Sequence, residues 1–174
     1  AIKLLNSTGV KETTLSPELT LNQIKQIVEY ATIQCETIIH GYLPLMIMKY
    51  CPIETILNPS DHRKICNICK ENKFGLKDRK GLVFPLLADQ SCKTEILNSK
   101  KLCMVDSIDA LFEANITNLR IQFTIENEKE IMHTLHAYIN TIKYMLEGGK
   151  RPPELESFIK KMNEVGFTKG HFFR

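Results

Sequence analysis

The sequence lacks the features that would place it in a specialised class of protein. It has no apolar run near the roughly 20 residues of a membrane-spanning helix, and no N-terminal signal pattern. It has no repeat, no low-complexity segment and no H-E-x-x-H motif of the zinc peptidases. We therefore expect a cytoplasmic globular protein that does not enter a membrane.

The sequence also lacks an initiator methionine and a capping residue before its first helical pattern. It opens with Ala1-Ile2-Lys3-Leu4-Leu5, which is typical of the middle of a helix, so we expect a piece of a longer protein. Its 174 residues predict a single domain, 1–174, and 43% hydrophobic residues suffice for a sizeable core.

Strong charge of one sign is absent, because 23 basic and 20 acidic residues give a net charge of only +3. This value does not by itself indicate a nucleic-acid partner. The basic residues nevertheless cluster in one stretch, as Arg63, Lys64, Lys70, Lys73, Lys77, Arg79 and Lys80. A solvated face is the ordinary interpretation, and binding of RNA or an anionic substrate is the alternative.

Strand-like and helical patterns alternate along the chain. The clearest predicted strands are 12–15, 35–40, 102–105 and 118–123, and the longest predicted helix is 127–146. Ser16-Pro17-Glu18, with Pro near the first turn, is predicted to start another helix. Strand, helix, strand order is typical of a parallel sheet with covering helices. Because a complete α/β barrel needs about 250 residues, the chain predicts about half of a TIM-barrel-like sheet. Its exposed strand edges would favour a homodimer.

Four of the six cysteines have metal-ligand spacing. Cys51, Cys66, Cys69 and Cys92 form the pattern C-x14-C-x2-C-x22-C within a polar, loop-like segment, 49–93. Four thiolates hold either tetrahedral zinc or a 4Fe-4S cluster, and ligand softness does not separate the two. The remaining two cysteines, Cys35 and Cys103, lie in apolar runs and are predicted core residues.

These cysteines belong to a wider set of familiar motifs. The motifs are His40-Gly41-Tyr42-Leu43-Pro44-Leu45-Met46, Tyr50-Cys51-Pro52, Cys66-x2-Cys69, Leu76-Lys77-Asp78-Arg79, Phe84-Pro85, Asn98-Ser99 and the tail Thr168-Lys169-Gly170-His171-Phe172-Phe173-Arg174. With Ser16-Pro17-Glu18-Leu19, they closely resemble the collagenase-like peptidase family of unassigned catalytic type. The Pro-Leu-Met element, in place of the family's cysteine-bearing peptidase signature, resembles one branch of it.

The resemblance implies a fold, a cofactor and two possible activities. The fold is the C-terminal part of a barrel-like catalytic domain, and the cofactor is a 4Fe-4S cluster on the four cysteines, with zinc as the alternative. Relatives support hydroxylation of tRNA, rRNA or a ubiquinone precursor without molecular oxygen, and we expect the RNA reaction here. The alternatives are a metal-dependent peptidase or collagenase, which is a hydrolase, and a structural zinc-binding interaction module.

Further candidate site residues follow from position. Glu18 and His40 stand where strands are predicted to end, which is where barrel enzymes place functional side chains, and we assign them as catalytic candidates. Asp78 and Arg79 lie between two of the cysteines, where they would orient the metal loop by hydrogen bonds or bind an anion. Asp106 or Ser107 is predicted to cap the helix 108–114, and for Asp106 this cap is favoured over a place in the site.

Overall fold

A computed structural model describes residues 1–57, 68–89, 91, 93–149 and 152–174, apart from the side chains of residues 70 and 71. Within these residues the strands, in chain order, are β1 (Glu12–Thr14), β2 (Gln34–Gly41), β3 (Pro44–Met48), β4 (Phe74–Lys77), β5 (Val83–Ala88), β6 (Thr94–Leu97), β7 (Lys101–Cys103), β8 (Asn118–Ile121) and β9 (Phe167–Thr168). The helices are α1 (Ile2–Ser7), α2 (Leu21–Glu29), α3 (Pro52–Leu57), α4 (Ile68–Glu71), α5 (Ile108–Glu113), α6 (Glu128–Leu146) and α7 (Leu155–Val165). A 3-10 turn, Val105–Ser107, precedes α5.

The chain folds into two compact units. Unit 1 comprises Ala1–Gly41 and Lys100–Arg174, and unit 2 comprises Tyr42–Ser99. The chain thus leaves unit 1 after β2, forms unit 2, and returns to unit 1 before β7. Mixed α/β structure, as predicted, is present in the chain.

The sheet of unit 1 is mixed. In it, β1 and β8 pair in parallel with β2, β7 pairs antiparallel to β2, and β9 pairs in parallel with β7. The register places His40 opposite Cys103 and Gly41 opposite Leu102. The predicted parallel arrangement is therefore correct for β1, β2 and β8 and wrong for β7.

Capping fixes the start of the two helices whose boundaries matter most. Thr20 accepts from the Gln23 amide, and the Gln23 side chain accepts from the Thr20 amide, so α2 begins at Leu21. The predicted start at Ser16-Pro17-Glu18 is wrong because these residues form a turn that ends before this capping box. Asn127 caps α6 in the same way with Glu130, as the predicted helix requires.

The core of unit 1 lies beneath these helices. Its most deeply buried members are Ile24, Ile39, Leu102, Met104, Ile108, Leu111, Ile116 and Tyr138. Cys35 and Cys103 are 6% and 1% exposed, which confirms that both are core residues. Burial raises the pKa of both thiols, so both stay protonated and are poor metal ligands.

Unit 2 contains a four-stranded antiparallel sheet in the order β3-β6-β5-β4. The predicted parallel sheet is wrong here, because only five residues connect β4 to β5 and five connect β5 to β6. A parallel crossover needs a dozen residues or more. The half barrel as a whole stays a prediction.

The segment predicted as a loop contains regular structure. Its described residues include helices α3 and α4 and the strands β4 and β5. Pro52 opens α3 at its first position, where a missing N–H costs nothing. No helix in the described residues is long and apolar enough to span a membrane.

Candidate functional site

Cys51 stands immediately before helix α3 in unit 2, with its side chain buried at 6% exposure. The Glu54 amide donates a hydrogen bond to its Sγ at 3.4 Å. The Thr55 amide and hydroxyl both donate to the Cys51 carbonyl, at 3.3 and 3.2 Å. The thiol therefore takes the place of the usual Ser or Asp cap, and its sulfur is held in one position by backbone structure.

The other predicted ligands are only partly within the described residues. Cys69 is half-buried in the short helix α4, whereas Cys66 and Cys92 lie outside the described residues. In the described part of the chain, no three His, Cys, Asp or Glu residues are placed to hold a metal ion. The four-cysteine site therefore stays a prediction.

Asp78 and Arg79 form the turn between β4 and β5. The Asp78 carboxylate accepts from the amides of Lys80 and Leu82, both at 2.8 Å, so the side chain shapes the turn. Arg79 is exposed on the same turn. Asp78 therefore stabilises the turn. The exposed guanidinium of Arg79 is accessible to an anion.

His40 lies near the end of β2 in unit 1 and is only 1% exposed. Its ring packs edge-on against Tyr138, with centroids 5.5 Å apart, and the Tyr138 hydroxyl lies 3.4 Å from Nδ1. Burial, reinforced by the positive charge of Lys101, lowers the pKa of His40 to about 4, although Glu126 opposes the shift. His40 is thus a neutral imidazole at pH 7.

Sequence reasoning missed the hydroxyl that organises this region. The Tyr138 hydroxyl donates to the Ile39 carbonyl at 2.9 Å, accepts from the Met104 amide at 3.0 Å and lies 3.8 Å from the Cys103 sulfur. Tyr138 thereby ties α6 to the strands that carry His40 and Cys103. The apolar periodicity of α6 predicts that Tyr138 is buried, but it does not predict the hydrogen bonds of the Tyr138 hydroxyl.

Glu126 is fully buried and sits next to Lys101. The Lys101 ammonium lies 3.2 Å from Glu126 Oε1, and the Thr124 and Ile125 amides donate to Oε2. Burial raises the pKa of this carboxyl, but the amide donors and Lys101 outweigh that effect and leave its pKa below the usual range. Glu126 is therefore an anion that the fold stabilises internally.

Asp106, which was predicted to cap a helix, has different surroundings in the structure. Asp106 binds the ammonium of Lys169 in the C-terminal tail, and α5 receives no side-chain cap at Ser107. The predicted cap at Asp106 is therefore wrong, because Lys169 engages its carboxylate. No local sequence pattern predicts this ion pair, because Asp106 and Lys169 are 63 positions apart.

Glu18, the other catalytic candidate, is exposed in the turn after β1. Its backbone amide donates a hydrogen bond to the Ser16 hydroxyl at 3.3 Å, within that turn. Within the described residues no hydrogen bond or ion pair joins Glu18 to His40. The structure places one at the surface and the other in the core, and their catalytic role stays a prediction.

Comparison with known proteins identifies relatives of the chain. It is 26% identical to a protein named Uncharacterized protease MJ0090, from Methanocaldococcus jannaschii, over 94% of this chain but only 42% of that protein. The chain thus spans less than half the length of this relative. No solved structure matches the chain significantly. The family described as Peptidase family U32 matches residues 1–174. The chain therefore belongs to Peptidase family U32.

Proposed function

We propose that this chain supplies a cysteine-ligated 4Fe-4S centre to a longer enzyme of its family, and that Cys51, Cys66, Cys69 and Cys92 are the ligands. The observation that carries the proposal is the environment of Cys51. Its sulfur is buried and accepts the Glu54 amide at 3.4 Å. Hydrogen bonds to ligating sulfurs tune iron–sulfur centres, so this geometry suits a thiolate ligand.

The chemistry of the donor set supports the same proposal. A four-thiolate set is the usual one for such clusters, and the two cysteines outside the set are buried with raised thiol pKa values. The set also lies in the unit that carries more basic than acidic residues, nine against six. This excess of positive charge offsets the negative charge of the thiolates.

For the reaction, we propose hydroxylation of a base in tRNA or rRNA by the longer enzyme. A cosubstrate other than molecular oxygen would donate the oxygen atom and be reduced by two electrons as a C–H bond of the base becomes C–OH. The bound cluster would supply electron-transfer or substrate-binding chemistry. The basic excess of unit 2 is compatible with an RNA substrate, because Lys and Arg neutralise phosphates. The chain spans less than half of its relative, so the complete active site belongs to the longer protein.

The cluster is tested with a matched pair of cysteine variants. Cys51→Ser and Cys35→Ser remove thiols that are equally buried, at 6% exposure each. After anaerobic purification, we expect the wild type and Cys35→Ser to contain iron and sulfide and to be brown. We expect Cys51→Ser to lose most of both. Equal iron in the two variants, or zinc alone in the anaerobic wild type, would contradict the proposal.

The reaction is tested separately on the full-length protein. RNA from cells that lack the gene is digested to nucleosides and compared by mass spectrometry with RNA from cells that have it. We expect one nucleoside to lose a mass equal to one oxygen atom, and complementation with the Cys51→Ser gene to leave it unmodified. Identical nucleoside profiles would contradict hydroxylation without affecting the cluster.

A second candidate function is peptide hydrolysis. The name of the relative and the family description favour it, and Glu18 and His40 are its candidate residues. The burial of His40 weighs against a direct role, because a general base must reach its substrate. Cleavage of denatured collagen by the full-length protein, abolished by Glu18→Gln, would favour it over RNA hydroxylation.

A further inference from the structure

The turn between β4 and β5 is a braced hairpin tip. Besides the two bonds that the Asp78 carboxylate accepts, the Asp78 amide donates to the Leu82 carbonyl at 2.9 Å and the Gly81 amide donates to the Asp78 carbonyl at 3.1 Å. Gly81 has φ +85°, which favours glycine. Four hydrogen bonds thus hold the backbone of a short turn in one conformation.

This braced turn presents three cations to solvent. Lys77, Arg79 and Lys80 are all exposed, and the structure shows no ion pair between them and any described residue. The nearest carboxylate in sequence, Asp78, is occupied by backbone amides. We define these three cations as the basic tip. A fixed backbone reduces the entropy that such side chains lose when they bind an anion.

The basic tip lies in the unit that carries all of the net charge. Unit 2 has nine basic and six acidic residues, whereas unit 1 has 14 of each. The net charge of +3 therefore belongs to unit 2. A uniform solvated surface would spread its charge over both units in proportion to their length. Charge concentrated on one small unit is instead the footprint expected of a polyanion-binding surface.

The apolar residues next to the basic tip favour a nucleic acid over an anionic membrane as its partner. Leu76 and Leu82, next to the basic tip, are 40% and 41% exposed, and Val83, the following residue in β5, is 53% exposed. All three lie on the strands or at their ends and not at the apex. A membrane-inserting loop exposes its apolar side chains more fully at its apex. Here the apex consists of charged residues and Gly81, which suits contact with phosphates along a strand.

We propose that the basic tip is a docking surface for the sugar–phosphate backbone of the RNA substrate. This inference rests on the proposed function, which supplies RNA as the substrate. Phosphate contacts position a nucleic acid without reading its sequence. The basic tip therefore orients the RNA, and the base that reacts is selected elsewhere in the longer protein.

The expected effect follows from counterion release. Each phosphate contact with a single strand contributes a slope of about −0.7 in log K against log salt concentration. Three contacts contribute a slope of about −2. If wild type and variant bind equally at 1 M salt, the variant therefore binds about 100-fold more weakly than the wild type at 0.1 M salt.

The test compares two triple variants of the full chain prepared anaerobically. The tip variant is Lys77→Gln, Arg79→Gln, Lys80→Gln. The control variant is Lys25→Gln, Lys160→Gln, Lys161→Gln, which removes the same charge from exposed positions of unit 1. Binding of fluorescein-labelled oligouridine is measured by anisotropy over a range of salt concentrations, and circular dichroism checks that each variant is folded.

We expect the tip variant to lose about 100-fold in affinity and about two units of salt slope, while the control variant binds like the wild type. Equal losses in both variants would overturn the proposal, since net charge alone would then explain binding. So would binding of the wild type to equimolar phosphatidylcholine–phosphatidylserine vesicles that depends on the tip while oligouridine binding does not. If the tip result holds but anaerobic protein lacks iron, the cluster fails and the docking surface stands.

Discussion

His40 makes the stability of unit 1 depend on pH between its native pKa of about 4 and its ordinary pKa of 6.5. Its neutral imidazole is 1% exposed and packs between Tyr138 and Phe123, with ring centroids 5.5 and 6.4 Å away. Protonation would place a charge in this enclosure near the ammonium of Lys101. The native pKa is therefore lowered to about 4, from an ordinary value of 6.5.

The sign of the effect follows from proton binding. Between pH 6.5 and 4 the unfolded chain binds a proton at His40 that the native protein does not bind. The stabilisation is fully present above pH 6.5 and is lost as the pH falls towards 4. A shift of this size corresponds to about 3.5 kcal/mol at most, since each pKa unit is worth about 1.4 kcal/mol.

The assay compares the wild type with His40→Gln, which cannot titrate there. Urea unfolding is followed by circular dichroism from pH 7 to 4.5 at constant ionic strength, and the pH dependence rather than the absolute stability is compared. We expect the wild type to lose roughly 2–3 kcal/mol more than the variant over this range. An NMR titration of the His40 ring that gave a native pKa near 6.5, or equal slopes for both proteins, would refute the reasoning.

Three further substitutions test the described packing by urea unfolding. Gly41→Ala places a Cβ 2.1 Å from the Gln122 carbonyl oxygen at φ +125° and should cost at least about 3 kcal/mol. Gly9→Ala, at φ +86° with nothing within 4 Å, should cost only about 1 kcal/mol, and equal costs would contradict the steric argument. Tyr138→Phe removes a hydroxyl that bonds the Ile39 carbonyl and the Met104 amide, which also bond each other at 3.0 Å, and should cost about 1 kcal/mol, whereas a neutral result would mean that the hydroxyl is dispensable. Asn127→Ala removes the cap of α6 and should cost about 1 kcal/mol, with restoration by Asn127→Asp as the check.

Local signals in the sequence predicted the elements whose causes are local. The long helix α6 follows from its apolar periodicity and from Asn127 at its start, and the strands β2 and β8 follow from apolar runs. The start of α2 was misplaced because Ser16-Pro17-Glu18 resembles a helix start as well as Thr20 does. Only the reciprocal bonds of Thr20 and Gln23 decide between them.

Pairings distant in sequence could not be predicted in the same way. Strand direction depends on the route of the chain between strands, so the antiparallel sheet of unit 2 and the reversed β7 had no local signature. The ion pair of Asp106 with Lys169 and the bonds of Tyr138 to two strands arise only when remote elements pack. For the candidate site, spacing predicted the four cysteine ligands, which stay a prediction, and it could not show that the Glu54 amide donates to the Cys51 sulfur.

The place where the chain leaves and re-enters unit 1 has a consequence for folding and for engineering. Gly41 and Leu102 are paired across β2 and β7, and within unit 2 the Asn98 amide bonds the Leu43 carbonyl at 2.8 Å. Unit 2 is thus an insertion in unit 1, and the two ends of the inserted segment lie next to each other. Folding of unit 2 first would shorten the loop that β2 and β7 must close and so reduce its entropic cost. We expect that residues 42–99 can be replaced by a short turn, or by another domain, without changing the register of β2 with β7.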